Sequence, residues 1–309
     1  TFTIINNDGT DPIQNGFNNV TEGGIFNNFL GSGLRGKVTY VGGDGNDVVI
    51  TVLAPDYTIA TTDGNVVITD LTGTGETMDI SQNSENIRFN VTGKTYRIDG
   101  GITTPFPADI ALAGKTSITV NTALGDDIIN VGAFTALPSL TINGGTGDDQ
   151  VNMNGDITFV ANANLDLDLQ NDDPNPGVDV IILNTDANLR LSGTGAITLK
   201  SSKNIGTKSG SSLAAVGGNI VIEANQQMTP TVGSFTGIEH RGTISILSGS
   251  GGTGTVTLKG KGGNGTDAPQ VGVLIAGNVT GLAGSIAIEG TGGISPVNGN
   301  VGIHINAPI

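Results

Sequence analysis

The sequence contains no cysteine and no tryptophan, and only 4% of its 309 residues are aromatic. Without cysteine, the chain can form neither a disulfide scaffold nor a thiolate metal site. Charged residues make up only 13%, which argues against a charge-rich disordered tail. The 13 basic and 28 acidic residues give a net charge of −15, so we expect no binding to nucleic acid. No apolar run approaches the length of a transmembrane helix, so we expect no membrane-spanning segment.

Glycine, by contrast, is abundant, and the acidic residues are unevenly distributed. The 50 glycines are more than twice the average share of roughly 7%, yet they follow no Gly-X-Y period, which excludes collagen. Residues 1–189 contain 24 of the 28 acidic side chains, and residues 190–309 contain only 4. This asymmetry indicates an acidic first region that is suited to cations and a nearly neutral second region.

Short segments of alternating apolar and polar residues occur along the whole chain, and helix signals are nearly absent. Typical examples are Lys37–Val41, Ser117–Val120 and Ala196–Leu199, which are rich in valine, isoleucine and threonine and are bounded by glycine, asparagine or aspartate. This pattern is typical of short β-strands joined by tight turns. The sequence therefore predicts an all-β fold.

Internal repeats indicate how these strands are arranged. Residues 117–121 recur as 139–143, an offset of 22, and residues 254–258 recur as 284–288, an offset of 30. Further strand starts at Gly195, Gly218 and Gly242 are spaced 23 and 24 residues apart. Constant periods of this length predict a parallel β-solenoid in which each coil stacks on the next. A β-sandwich also needs many short strands and stays the alternative, but it does not predict constant registers.

A motif of glycine and aspartate suggests a metal site. Residues 42–50 and 144–152 match the nonapeptide G-G-x-G-x-D-x-U-x at every defined position, and residues 125–129 match its second half. Glycines allow a tight loop that turns backbone carbonyls inward, aspartate adds charge, and stacked loops of this kind form an oxygen cage for calcium. The 22-residue separation of Asp127 and Asp149 would stack their loops.

We therefore predict calcium as the cofactor, although the matches are isolated rather than in tandem. A tight turn between strands that holds no metal explains the same residues. The predicted ligands, in two sites, are Asp126, Asp127, Asp148 and Asp149, and then Asp44 and Asp47.

The remaining candidates for catalysis are few. We interpret the two histidines, His240 and His304, as surface residues, with His240 in a turn just before a strand. Without cysteine, and without a histidine spaced to serve a nucleophile, no nucleophile–base pair is evident. We therefore predict no catalytic residues and no enzyme activity. A polysaccharide lyase or hydrolase would need several acidic or basic groups on one outer face.

Three parts of the chain resemble bacterial β-helical surface proteins. Residues 1–53, with TFTIINNDGT at 1–10 and YVGGDGNDVV at 40–49, resemble the closing segment of autotransporter passenger repeats. Residues 57–160 resemble Asp/Gly-rich modules of giant surface proteins with isolated RTX-like calcium loops, and residues 190–309 resemble filamentous-haemagglutinin-like coils. The resemblance implies a right-handed parallel β-helix, export, and a role in adhesion or envelope structure.

From these observations we predict an all-β chain in three regions. Residues 1–56 form a small N-terminal β segment, residues 57–160 form Asp/Gly-rich solenoid coils, and residues 161–309 form neutral coils. The predicted function is an extracellular structural or adhesive segment of a larger bacterial surface protein, such as a stalk, an adhesin or a lattice component. The predicted partners are further copies, in a filament or surface lattice, or glycans of a host or neighbouring cell. The alternatives are a calcium-dependent glycan-binding module and a carbohydrate-active β-helix enzyme.

Overall fold

The protein is all-β, because glycine, asparagine and aspartate interrupt the chain before any strand exceeds eight residues. The computed structural model describes residues 1–170, 177–247, 253–266, 270–282, 284–294 and 300–309. No α-helix occurs in these ranges, and within them no helix has the length and apolar character needed to cross a membrane. A single 3-10 turn spans Phe29–Gly31.

The first 53 residues form a separate antiparallel sheet. Its strands, in the spatial order β1-β4-β3-β2, are β1 (Phe2–Ile5), β2 (Ile25–Phe26), β3 (Arg35–Gly42) and β4 (Asp47–Leu53). Its buried residues, Phe29, Val38, Val48 and Ile50, form a small core of their own. The region resembling an autotransporter repeat is therefore a compact antiparallel β module, and residues 42–47 form its β3–β4 hairpin loop.

Residues 57–111 form antiparallel hairpins, so the prediction of stacked coils beginning at residue 57 is wrong for this segment. The strands are β5 (Tyr57–Thr62), β6 (Asn65–Asp70), β7 (Thr77–Asn83), β8 (Asn86–Val91), β9 (Thr95–Ile98), β10 (Thr104–Pro105) and β11 (Ala108–Ala111). Strand β5 pairs with β6, and β7 pairs with β8, which also pairs with β11. Asp63 and Gly64, with φ of 49° and 82°, form the β5–β6 turn. A two-residue Asp-Gly turn is a strong hairpin signal because its twist matches that of the strands.

From residue 117 onward, successive strands enter three parallel sheets in turn. We call three consecutive strands, one in each sheet, a pass. The first sheet contains β12 (Ser117–Asn121), β15 (Ser139–Asn143), β18 (Leu165–Leu169), β21 (Ile197–Ser201), β24 (Ile220–Ala224), β27 (Val256–Lys261) and β30 (Ile286–Thr291). The second contains β13 (Ile128–Val131), β16 (Gln150–Met153), β19 (Val180–Leu183), β22 (Asn204–Thr207), β25 (Ile238–His240), β28 (Val273–Ile275) and β31 (Ile303–Ile305). The third contains β14 (Phe134–Leu137), β17 (Asp156–Phe159), β20 (Asn188–Arg190), β23 (Ser212–Ala215), β26 (Thr243–Ile246) and β29 (Asn278–Gly281).

The registers read from the sequence correspond to real strand pairs, with one exception. Ser117 pairs with Ser139 at the offset of 22, and Val256 pairs with Ile286 at the offset of 30. The step from Gly218 to Gly242 is wrong, because Thr243 lies in the third sheet opposite Ser212. Strands of all three sheets begin after similar Gly-containing turns, so spacing alone does not reveal which sheet a strand joins.

A single core fills the space between the sheets. Inward positions of one pass stack on those of the next. In the first sheet the stack is Ile118, Leu140, Leu165, Ile197, Ile220 and Val256, each at most 1% exposed. The core continues from Tyr57 to Val279 without a break at residue 160. Hydrophobic burial along its whole length is the main stabilising contribution to this body.

The two ends of the three-sheet body differ. At one end, β6 and β7 pair in parallel with β12 and β13 and thus cover the first pass, so we call residues 57–111 the cap. At the other end, β30 and β31 are the outermost strands of their sheets. The antiparallel module contacts the cap through the Arg97 guanidinium, whose Nη2 donates to the Ser32 carbonyl at 2.8 Å.

Candidate metal centre

The Gly/Asp loops join the first sheet to the second and stack on one another. The Gly125 amide donates to the Thr146 carbonyl at 2.9 Å, and the Thr146 amide donates to the Ala123 carbonyl at 2.9 Å. The loops that precede Asp127 and Asp149 are therefore direct neighbours. This is the adjacency expected from their 22-residue spacing.

The first aspartate of each loop is exposed and joins one loop to the next. Asp126 Oδ1 accepts a hydrogen bond from the Asp148 amide at 2.9 Å, and Asp148 Oδ1 accepts one from the Val178 amide at 2.8 Å. In both bonds the carboxylate belongs to the earlier pass. These aspartates satisfy backbone donors of the following pass.

The second aspartate of each loop is buried and bonds in the opposite direction. Asp127, Asp149 and Asp179 are 2%, 1% and 1% exposed. The Asp127 amide donates to Asp149 Oδ1 at 2.9 Å, the Asp149 amide donates to Asp179 Oδ1 at 2.8 Å, and the Asp179 amide donates to Ser202 Oγ at 2.9 Å. Asp179 was missed in the sequence because it lies outside a complete nonapeptide match, although Gly177 precedes it at the expected spacing. Buried backbone donors need such acceptors, so this ladder is structural.

Asp44 and Asp47 lie far from the stacked loops, in the antiparallel module. Asp47 is 6% exposed, and its Oδ1 accepts a hydrogen bond from the Asn7 amide at 2.9 Å. Asp44 is exposed and lines a surface depression of about 350 Å³ with Gly9 and Thr10. The same nonapeptide therefore forms a hairpin loop here and an inter-sheet corner at residues 144–149.

Asp127 is the one predicted ligand that belongs to a cluster of three acidic groups. Among the described residues, only Asp70, Glu76 and Asp127 bring three ligand atoms of Asp, Glu or His within 4.8 Å of one another. Asp70 ends β6, Glu76 precedes β7, and Asp127 precedes β13, so the cluster lies where the cap meets the first pass. We call these three residues the acidic cluster.

Hydrogen bonds hold the acidic cluster in place. The Glu76 amide donates to Asp127 Oδ1 at 2.8 Å, and the Thr72 amide donates to Asp70 Oδ1 at 2.7 Å. Thr72 Oγ1 lies 3.0 Å from both carboxylate oxygens of Glu76, which also forms an ion pair with Lys94. The cap and the first pass thus share one polar network.

Burial and mutual repulsion shift the pKa values of these carboxyl groups. Burial raises the pKa of Asp127 to about 7, and the charges of Asp70 and Glu76 add to this effect. Burial also raises the pKa of Asp70 to about 6, against opposing hydrogen bonds from Thr72. Burial raises the pKa of Glu76 as well, but the hydrogen bond from Lys94 and those from its other neighbours outweigh it, so the net shift is downward. Both protons and a bound cation would relieve this repulsion.

The sequence contained a signal for the two residues that were missed. In residues 70–76, DLTGTGE, oxygen-bearing side chains occupy every second position and glycines lie between the last three. Such a loop presents several oxygen ligands on one side. Its pairing with Asp127, about 50 residues later, depends on the cap and was not visible in the sequence.

His240 is buried, so its interpretation as a surface residue is wrong. It ends β25 at 0% exposure. Its Nδ1 lies 2.7 Å from Thr207 Oγ1, and its Nε2 lies 3.0 Å from the Asn278 carbonyl. A carbonyl can only accept, so Nε2 bears the proton and Nδ1 accepts from the Thr207 hydroxyl. Both ring nitrogens connect neighbouring passes. His304 is exposed in β31, as expected.

No family model, curated protein or solved structure matched this chain in our comparisons.

Proposed function

We propose that the three-sheet body is a right-handed parallel β-helix. Successive strands enter the three sheets in turn, and each pass pairs in parallel with the next. Connections between parallel strands of one sheet are right-handed in about 98% of cases, because only that hand packs the connection back onto a twisted sheet. This rule supports the right-handed form.

We propose that the chain is a rigid structural or adhesive segment of a bacterial surface protein, exposed outside the cell. The observation that carries this proposal is the continuous core, which extends through every pass from the cap to Val279. Each pass rests on its neighbours, so the body resists bending and offers a repetitive outer surface. Asparagine ladders, such as Asn143 Nδ2 to Asn121 Oδ1 at 2.8 Å, add polar bonds along that surface. The resemblance of the motifs to surface proteins supports the location.

The buried position of the acidic cluster favours this role over a carbohydrate-active enzyme. A glycosidase needs two carboxyl groups that face the scissile bond of a bound sugar. Asp70 and Asp127 are each only 2% exposed, so a sugar ring could not reach both. A glycan-binding role for the outer surface is compatible with an adhesive segment and is one outcome of the test below.

Two measurements test the proposal. Small-angle X-ray scattering of the purified chain should give an elongated distance distribution, and immunogold electron microscopy should label intact source cells. The matched control is antibody labelling of permeabilised cells. Labelling only after permeabilisation would contradict the surface location, and release of sugar from a polysaccharide panel would favour the enzyme instead. Retention on a glycan array would identify the adhesive partner, while ordered filaments would identify self-association.

A further inference from the structure

We infer that Asp70, Glu76 and Asp127 bind one calcium ion at the junction between the cap and the first pass. This site differs from the one that the nonapeptide motif suggests, because two of its three carboxylates come from the cap. The inference is independent of the proposed function, since an enzyme or a structural protein could hold such an ion.

The spacing of the three carboxylates fits calcium. Each residue offers an oxygen within 4.8 Å of the other two. Calcium binds oxygen ligands at about 2.3–2.6 Å, so two ligands on opposite sides of the ion are about 4.8 Å apart. All three acids can therefore contact one ion without a change in backbone position. Magnesium, with bonds of about 2.0–2.1 Å and strict octahedral geometry, requires a tighter arrangement.

A buried carboxylate oxygen is the second observation that indicates a ligand. Asp127 is 2% exposed, and its Oδ2 has no hydrogen-bond partner among the described residues. The Thr122 hydroxyl lies beside this carboxylate but donates to the Gly144 carbonyl. A buried carboxylate oxygen without a donor is costly, and a cation supplies the missing interaction.

The charge balance also favours a divalent ion. When ionised, the three acids contribute three negative charges, and the ion pair of Lys94 with Glu76 offsets one of them. Two excess negative charges remain in a largely buried place, which is the charge that calcium neutralises. Lys94 and the acidic cluster therefore form a site whose charge a divalent cation completes.

The site has an entry path and additional oxygen ligands. Glu76 and Lys94 line a surface depression of about 350 Å³, together with Thr74. Thr72 Oγ1 is 3.2 Å from Asp70 Oδ2 and 3.0 Å from the Glu76 carboxylate oxygens, so a neutral oxygen already lies between two of the acids. Calcium accepts six to eight oxygen ligands, and water from the depression can complete the set.

Terbium luminescence tests the inference directly. Terbium(III) substitutes for calcium, and the chain has no tryptophan, so a nearby tyrosine is the sensitiser. Tyr57 is paired directly opposite Asp70 across β5 and β6 and is therefore well placed for energy transfer. We expect saturable emission with one ion per chain. Calcium should displace the terbium at far lower concentration than magnesium.

Variants then locate the ion. Asp127→Asn and Glu76→Gln should each weaken terbium binding at least tenfold, whereas Lys94→Met should strengthen it because it removes a competing positive charge. Asp156→Asn, an exposed site on β17 with the same change of charge, should bind as the parent chain does. Unchanged affinity in both acidic variants would overturn the inference. An equal loss in Asp126→Asn would also overturn it, because the ion would then lie on the outer aspartates.

Thermal unfolding separates loss of the ion from loss of the fold. Calcium should raise the Tm of the parent chain and of Asp156→Asn, but not that of Asp127→Asn. In chelator, Asp127→Asn should melt no lower than the parent, since it removes a buried charge. A calcium-induced rise in the Tm of Asp127→Asn equal to that of the parent would contradict the site. Displacement by magnesium as effective as by calcium would contradict the choice of ion.

Discussion

His240 illustrates how single residues connect neighbouring passes. Its ring is fully buried and bridges the Thr207 hydroxyl and the Asn278 carbonyl, one on each adjacent pass. Burial lowers the pKa of His240, and the hydrogen bond to the Asn278 carbonyl opposes this only in part. The folded protein therefore holds the neutral ring at a pH where the unfolded chain would bind a proton.

We predict that the contribution of His240 to stability falls as the pH is lowered. Because its folded pKa lies below the unfolded value of about 6.5, the contribution is complete above that pH and declines below it. His240→Gln should cost about 1–3 kcal/mol at pH 7.5, the usual cost of leaving buried polar groups unpaired. The measurement is urea unfolding of both proteins at pH 7.5 and 5.5.

The comparison is between the two proteins at each pH, since all other titrating groups contribute equally to both. These include Asp70 and Asp127, whose raised pKa values act in the opposite direction, because a carboxyl group with a raised folded pKa stabilises the fold as the pH falls. A difference in unfolding free energy that stays constant between pH 7.5 and 5.5 would contradict the prediction.

Among the structural elements, the Gly/Asp loops depend on close contact between backbones. Gly125 has a φ of +110°, and a Cβ at this position would collide with the backbone of Thr74 and Gly75 in the cap. Gly114 also has a positive φ, +74°, but a Cβ there would meet no atom within 4 Å. The two glycines thus separate backbone conformation from loop contact.

We predict that Gly125→Ala destabilises the protein more than Gly114→Ala does. Gly114→Ala should cost about 1–2 kcal/mol, because an L-residue is strained at positive φ. Gly125→Ala should cost roughly 2–5 kcal/mol, because the steric displacement of the cap loop is added to that strain. Equilibrium unfolding in urea measures both costs. Equal values would show that the cap loop yields freely at this contact.

The loops also show how much of the candidate site could be read from the sequence. The spacing of Asp127 and Asp149 correctly predicted adjacent loops, because the offset of 22 is the length of one pass. The same motif at residues 42–50 formed a hairpin loop, because its flanking strands are antiparallel. A local motif specifies a tight turn, but the neighbouring strands determine what the turn faces.

At the scale of the whole molecule, the three-sheet body has a covered end and an outer end. The cap covers β12 and β13, whereas β30 and β31 are outermost in their sheets. Inward-facing side chains of the outermost pass are partly exposed, with Ile303 at 40% and Ile305 at 49%. Local opening costs least where few apolar contacts are lost.

We predict a gradient of amide hydrogen exchange along the axis. Amides in β30 and β31 should exchange faster than those in β12 and β13, because opening the outermost pass exposes less buried surface. Hydrogen–deuterium exchange with mass spectrometry measures this on the intact chain. Uniform protection from β12 to β31 would mean that the body opens only as one unit, or that its outermost pass is covered in solution.

The sequence by itself determined the strands, the turns and the stacking registers of 22 and 30 residues. Alternating side chains choose which face of a strand is buried, and a stacked pass must repeat that choice at a constant offset. Only the tertiary structure decided that residues 57–111 form a cap, that Thr243 joins the third sheet, and that Asp127 meets Asp70 and Glu76. These features depend on pairing between segments far apart in the chain. Local patterns do not encode such pairing, because several partners satisfy the same alternation equally well.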